Sequence, residues 1–125
     1  MKFNIFIDDF RNPKDAFLYT RNPLYNILKW DIVKNYDEFI NFIINNGLSN
    51  IEFISFDHDI SDEHYDDTIS QENYTEKTGY DCAKWLVNYC MDNNFKLPNY
   101  FVHSMNPAGK QNILSILNNY KKHCE

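Results

Sequence analysis

Three apolar runs of this 125-residue sequence each end in groups that can do chemistry. "FNIFI" leads into Asp8-Asp9, "IEFISF" leads into Asp57-His58-Asp59, and "NYFVH" ends on His103 and is followed by Ser104. Magnesium favours a few carboxylates, retained waters and octahedral oxygen geometry. Asp8, Asp9, Asp57 and Asp59 therefore form a candidate site for a divalent cation, Mg2+ or Mn2+. Carboxylates at strand ends also cap helices or face solvent, so each pair alone has a structural alternative. His58 and His103 are candidate general acids or bases, because imidazole titrates near neutral pH. A single histidine is more often a hydrogen-bonded structural residue. His58 sits between two acids and can point away from them, while His64 and His123 read as surface residues.

The stretch "HSMNPAGKQNI" (His103 to Ile113) places a strand end against a helix start. Asn106 suits the N-cap and Pro107 the first helical position. The first turn of a helix exposes backbone N–H groups at the positive end of its dipole, which suits an anion. Ser104, Asn106, Gly109 and Lys110 are thus candidate phosphate ligands, with Gly109 permitting close backbone approach. A plainly capped helix is the alternative. Ser104 lacks the G-x-S-x-G elbow of a hydrolase nucleophile, which favours phosphate binding for its hydroxyl. Arg11, three residues after Asp8, can reach a phosphate or brace the acidic pair as a salt bridge.

The elements that would position these groups alternate. Phe3–Ile7 reads as a strand buried on both faces. Trp30–Lys34 reads as a second strand. "DEFINFIINNG" reads as a helix with Asp37 as its cap, Phe39, Phe42 and Ile43 on one face, and Gly47 as its stop. Ile51–Phe56 is the third strand and Asn99–His103 the fourth. Thr78, with Asp81 three residues on, forms a capping box for a helix whose stripe is Cys82, Trp85, Leu86, Tyr89 and Cys90. The last helix would bury Ile113, Ile116, Leu117 and Tyr120. Residues 14–28 carry mixed signals and are left unassigned. Residues 61–77 hold six carboxylates against one lysine and read as a long acidic loop, an insertion at about 60–77. Strands alternating with helices imply a parallel sheet covered on both faces, with ligands outside the carboxyl ends of its strands.

Composition narrows the function classes. The chain is 43% hydrophobic and 17% aromatic, as expected for one packed domain over residues 1–125. Its net charge of −6 argues against broad duplex nucleic-acid binding and suits a cation site. No apolar run approaches the ~20 residues of a membrane span. "MKFNIFI" lacks a secretion-signal pattern. Cys82, Cys90 and Cys124 show no metal-ligand spacing, and their odd count fits a reducing cytoplasm. Abundant Asn, Ile, Lys, Tyr and Phe point to an AT-rich genome, of a phage or a low-GC bacterium. For a phage protein the compartment would be the host cytoplasm.

The chain resembles response-regulator receiver domains in its acidic pair after strand one, in Asp57 ending strand three and in Ser104 ending strand four. It departs from them in carrying His58, Asp59 and His103, and in showing no fifth strand with the usual Lys-Pro. The resemblance is closer to the cyclic-phosphate-processing receiver-like family, through "DDFR" (Asp8–Arg11), "SFDHD" (Ser55–Asp59), "TGYD" (Thr78–Asp81) and "HSMNPAG" (His103–Gly109), in that order. This implies a receiver-like (flavodoxin-like) three-layer sandwich with about four parallel strands. It also implies a metal-dependent phosphoesterase acting on a cyclic phosphate, at an RNA terminus or in a nucleotide. Asp57, His58 and His103 would be its catalytic residues. His103 would protonate the leaving oxygen, and Asp57 would alternatively accept the phosphoryl group. The competing expectation is a binding module or sponge for a phosphate-bearing nucleotide or a partner protein. A phosphoacceptor switch is disfavoured by the missing lysine strand. A haloacid-dehalogenase-like phosphatase is disfavoured because "SFDHDIS" follows the third strand rather than the first.

Overall fold

The computed structural model describes residues 2–60 and 77–125. The acidic stretch expected to be a loop lies, from 61 to 76, outside the described residues. Four strands, β1 (Phe3–Ile7), β2 (Asp31–Val33), β3 (Ile51–Phe56) and β4 (Asn99–Val102), form one sheet. Its order is β2-β1-β3-β4 and all three pairings are parallel. Among the described residues five α-helices accompany them: α1 (Pro13–Thr20), α2 (Leu24–Ile27), α3 (Tyr36–Asn46), α4 (Gly79–Asn93) and α5 (Pro107–Cys124).

Successive strand residues point to opposite faces, and this sorts the core. Ile5 and Ile7 of β1 and Ile54 and Phe56 of β3 join Phe39, Leu86, Ile113 and Leu117 of α3, α4 and α5 in the larger cluster. Phe6 faces the other way, into a smaller cluster with Ala16 of α1 and Tyr25 of α2. Asp8 shares the parity of Phe6. Asp57 shares that of Ser55, and His103 that of Phe101. The same alternation that buries the apolar side chains therefore delivers Asp8, Asp57 and His103 to the α1–α2 face.

Residues 14–28 form α1 and α2. α1 owes its start to Asn12, whose side chain accepts from Asp15 N–H while the Asp15 carboxylate accepts from Asn12 N–H. Ala16 is its one buried residue, so no apolar stripe announces it. The cap of α3 is Asn35 rather than Asp37. The Asn35 side chain accepts from Glu38 N–H, and Asp37 lies within the first turn, where its charge meets the positive helix end. Thr78 and Asp81 form the expected capping box on α4, and Asn106 caps α5. Among the described residues no fifth strand follows β4, which stays an edge of the sheet.

Candidate functional site

β1 ends at Ile7, and Asp8 turns the chain. Its Oδ1 accepts the N–H groups of Phe10 (2.9 Å) and Arg11 (2.8 Å), which folds Arg11 back over the sheet edge. Its Oδ2 accepts from His103 Nε2 at 3.0 Å. Asp8 and His103 are buried, and Phe6 stacks on the imidazole at 4.2 Å with the rings 9° apart. Burial pushes the Asp8 carboxyl up, but the His103 hydrogen bond and the two backbone N–H groups outweigh it and hold Asp8 below its ordinary value. Burial likewise lowers His103, against the opposing pull of Asp8, and favours the neutral ring.

With Asp8 ionised and His103 neutral, one tautomer satisfies both contacts of the ring. An ionised Asp8 only accepts, so Nε2 carries the proton. Nδ1 must then accept, and Ser55 Oγ lies 2.7 Å away to donate. Ser55 in turn accepts from the Tyr25 hydroxyl at 2.6 Å. The buried chain Tyr25–Ser55–His103–Asp8 thus has every proton pointing toward Asp8. Ser55 and Tyr25 are absent from the sequence-based set. A lone hydroxyl inside "IEFISF", on the parity of Asp57, is the available signal for Ser55. Tyr25 lies in the stretch without readable periodicity.

Asp57 is the anomaly of the site. Its Oδ1 accepts the N–H of His58 at 2.9 Å, but its Oδ2 is buried without a hydrogen-bond partner. Burial, reinforced by the charge of Asp8 and opposed by Arg11, pushes its carboxyl from 3.8 up to about 7. Arg11 Nη1 stands 3.9 Å from both Asp57 Oδ2 and Asp8 Oδ2, too far for a hydrogen bond to either. The guanidinium also lies over the Tyr19 ring, 5.7 Å from its centroid. Among the described residues one cluster could share a metal ion: Asp8, Asp57 and His103, with one ligand atom from each all within 4.8 Å of one another. A bare buried carboxylate oxygen beside an ionised carboxylate is a donor set that fits a hard divalent cation.

The other expected residues are arranged differently. Asp9 and Asp59 fall outside that cluster. Asp59 Oδ1 pairs with His58 Nδ1 at 2.8 Å, and Asn106 Nδ2 reaches Asp59 Oδ2 at 3.3 Å. His58 has the opposite parity to Asp57 and lies on the far face, buried under α5. A Cβ on Gly109 would come within 2.4 Å of the His58 ring, so that glycine is required by the histidine beneath it. The Gly109 N–H donates to Asn106 Oδ1 at 3.0 Å, and Ser104 Oγ accepts from Asn106 N–H at 3.1 Å. The start of α5 is thus knitted to the end of β3, and Gly109 and Asn106 both serve that packing. The glycine of "TGYD" serves the same packing. A Cβ on Gly79 would lie 1.6 Å from the Asp57 carbonyl oxygen, and the Gly79 N–H donates to His58 O at 2.8 Å. Ser104 and Lys110 line an adjoining groove of about 520 Å³ between α1–α2, β4 and α5.

A four-stranded parallel sheet in the order 2-1-3-4, with a buried acidic cluster at its carboxyl edge, defines a receiver-like α/β domain. No helix among the described residues is long and apolar enough to cross a membrane. Residues 3–119 match the family model described as the cyclic-phosphate processing Receiver domain, and the chain belongs to that family. No curated protein and no solved structure matches the chain.

Proposed function

We propose that the protein is a metal-dependent phosphoesterase that opens a cyclic phosphate carried by a nucleotide or an RNA end. The observation that carries this reading is the buried Asp57 Oδ2, without a hydrogen-bond partner beside Asp8 and within an ion-pair distance of Arg11. Asp8 and Asp57 would hold a divalent cation, Mg2+ or Mn2+. When bound, such an ion polarises phosphoryl oxygens and makes a bound water more acidic. Arg11, whose Nη2 donates to Met105 Sδ at 3.4 Å, would bring the positive charge of its guanidinium to the phosphate. Ser104 and Lys110 supply a hydroxyl and a positive charge from the β4–α5 side. Water adds to phosphorus, one ring P–O bond breaks, and the released alkoxide takes up a proton to give the monoester.

His103 enters this scheme as a positioning residue. It is 1% exposed, and both ring nitrogens are engaged, one by Asp8 and one by Ser55. Its work is to fix the Asp8 carboxylate and keep it ionised, rather than to protonate the leaving oxygen. That commitment also favours a second reading, in which the site captures a phosphate-bearing nucleotide without turning it over.

The test is a turnover screen of nucleoside 2′,3′-cyclic phosphates, cyclic dinucleotides and linear monoesters, with magnesium, manganese or chelator. Product beyond one equivalent, lost with chelator and in Asp57→Asn, is the expected result. Undiminished turnover in chelator overturns the metal-dependent reading, and saturable binding without product establishes the binding module.

A further inference from the structure

The open edge of β4 is the feature that the proposed chemistry leaves unused. Three consecutive residues, Tyr100, Phe101 and Val102, line the same 520 Å³ groove. Successive strand side chains alternate between faces, so a cavity that touches three in a row runs along the hydrogen-bonding edge of the strand. In the doubly wound order 2-1-3-4-5 this edge is where a fifth strand would pair. Among the described residues no strand pairs there, because β4 is followed by α5.

The backbone there has a definite pattern. His103 N–H bonds to Phe56 O across the β3–β4 pair. Alternation along a parallel strand then directs the Phe101 amide to β3 and turns the N–H and C=O groups of Tyr100 and Val102 to the groove. The edge thus offers donors and acceptors in a plane, between the rings of Tyr19 and Tyr100 and the Leu114 side chain. Ser104 and Lys110 stand in the same groove wall.

We propose that this groove binds the heteroaromatic base and sugar of the ligand. The base would lie against the β4 edge, and its phosphate would reach Ser104 and Lys110. Mixed donors and acceptors along a strand edge complement the edge of a nucleobase, and flanking aromatic rings complement its faces. A volume of about 520 Å³ falls within the usual range of small-molecule sites. The short strand, four residues long, gives an added peptide few backbone partners, which favours a nucleoside over a peptide as the occupant. The phosphate half of this assignment rests on the function proposed above, whereas the base half stands on the groove alone.

Two sets of probes separate the halves. Adenosine and uridine, which carry no phosphate, are titrated into 15N-labelled protein, and at least one should shift the amide signals of Tyr100 and Val102. Adenosine 2′,3′-cyclic phosphate should bind about tenfold more tightly than glycerol cyclic phosphate, which lacks a base. Leu114→Trp, which fills the groove, should erase that advantage and leave glycerol cyclic phosphate binding unchanged; Tyr100→Ala gives a second variant that removes a flanking ring instead. Amides of Tyr100 and Val102 that stay unmoved with both nucleosides, or equal affinity for the two cyclic phosphates, overturn the groove assignment without touching the acidic site. Nucleoside shifts without binding of either cyclic phosphate support the groove and count against the phosphoesterase reading.

Discussion

Replacing Asp57 by asparagine should stabilise the metal-free protein, and by more at pH 8 than at pH 5. Burial and the neighbouring charge of Asp8 raise the Asp57 carboxyl from 3.8 to about 7. A carboxyl with a raised folded pKa holds its proton longer in the folded state than in the unfolded chain. Its contribution is therefore present below pH 4 and is lost as pH rises through about 7. At 1.36 kcal/mol per pH unit, that rise corresponds to a ceiling of about 4 kcal/mol. The carboxamide of the Asp57→Asn variant keeps the shape, still accepts the His58 N–H, and turns a donor toward Asp8 in place of the bare oxygen. His103 acts in the opposite sense. Its lowered pKa means that stability is lost as pH falls below about 6.5, so in the wild type the two groups offset one another across the mildly acidic range. The variant should thus be more stable at pH 8 by up to about 4 kcal/mol, with a gain that shrinks by pH 5. Urea unfolding at both pH values, at constant ionic strength with chelator present, reads this directly. A gain equal at the two pH values, or a loss at pH 8, would refute the idea of a buried charge held at a cost.

Other outcomes follow from the same geometry. Magnesium or manganese should raise the melting temperature of the wild type and leave that of Asp57→Asn nearly unchanged, as scanning calorimetry can check; equal shifts in both would place the ion elsewhere. Gly109→Ala should cost about 1–3 kcal/mol by overpacking against His58, and His58→Ala in the same chain should recover part of that loss in a double-mutant cycle. Ser55→Ala should cost about 1–3 kcal/mol in chemical denaturation, because it strips the buried Tyr25 hydroxyl and His103 Nδ1 of their shared partner. Gly79→Ala should yield little folded protein by circular dichroism, since its Cβ would overlap a rigid backbone carbonyl.

The elements readable in advance are those whose periodicity comes from burial on a sheet or a helix face. β1 and β3 stand where their apolar runs place them, and the capping box at Thr78 and Asp81 begins α4 as expected. α1 and α2 are not readable, because α1 buries only Ala16 and α2 only Tyr25. Local hydrogen bonds, rather than an apolar stripe, define α1. The meeting of Asp8, Asp57 and His103 follows from strand ends of shared parity. The roles inside the site are less accessible, because they depend on which atom faces which. A histidine at a strand end reads alike whether its nitrogen faces an open pocket or a neighbouring carboxylate. The two motif glycines show the same limit. The neighbourhood of Gly109 suggests an anion-binding turn and that of Gly79 a helix start, whereas the need for a glycine at each lies in residues far along the chain, His58 and Asp57.

The clasp between Gly79 N–H and His58 O has a consequence for how this chain can vary. It ties together the two points from which the segment 61–76 departs and to which it returns, with Ile60 buried on one side and Lys77 over the Tyr36 ring on the other. Once both feet are pinned, closing a longer segment adds only about 0.6 kcal/mol for each doubling of length. Insertions and deletions between the feet can accumulate without moving Asp57. The chain can thereby change length and charge between these two feet while Asp57 and the residues packed around it keep their geometry.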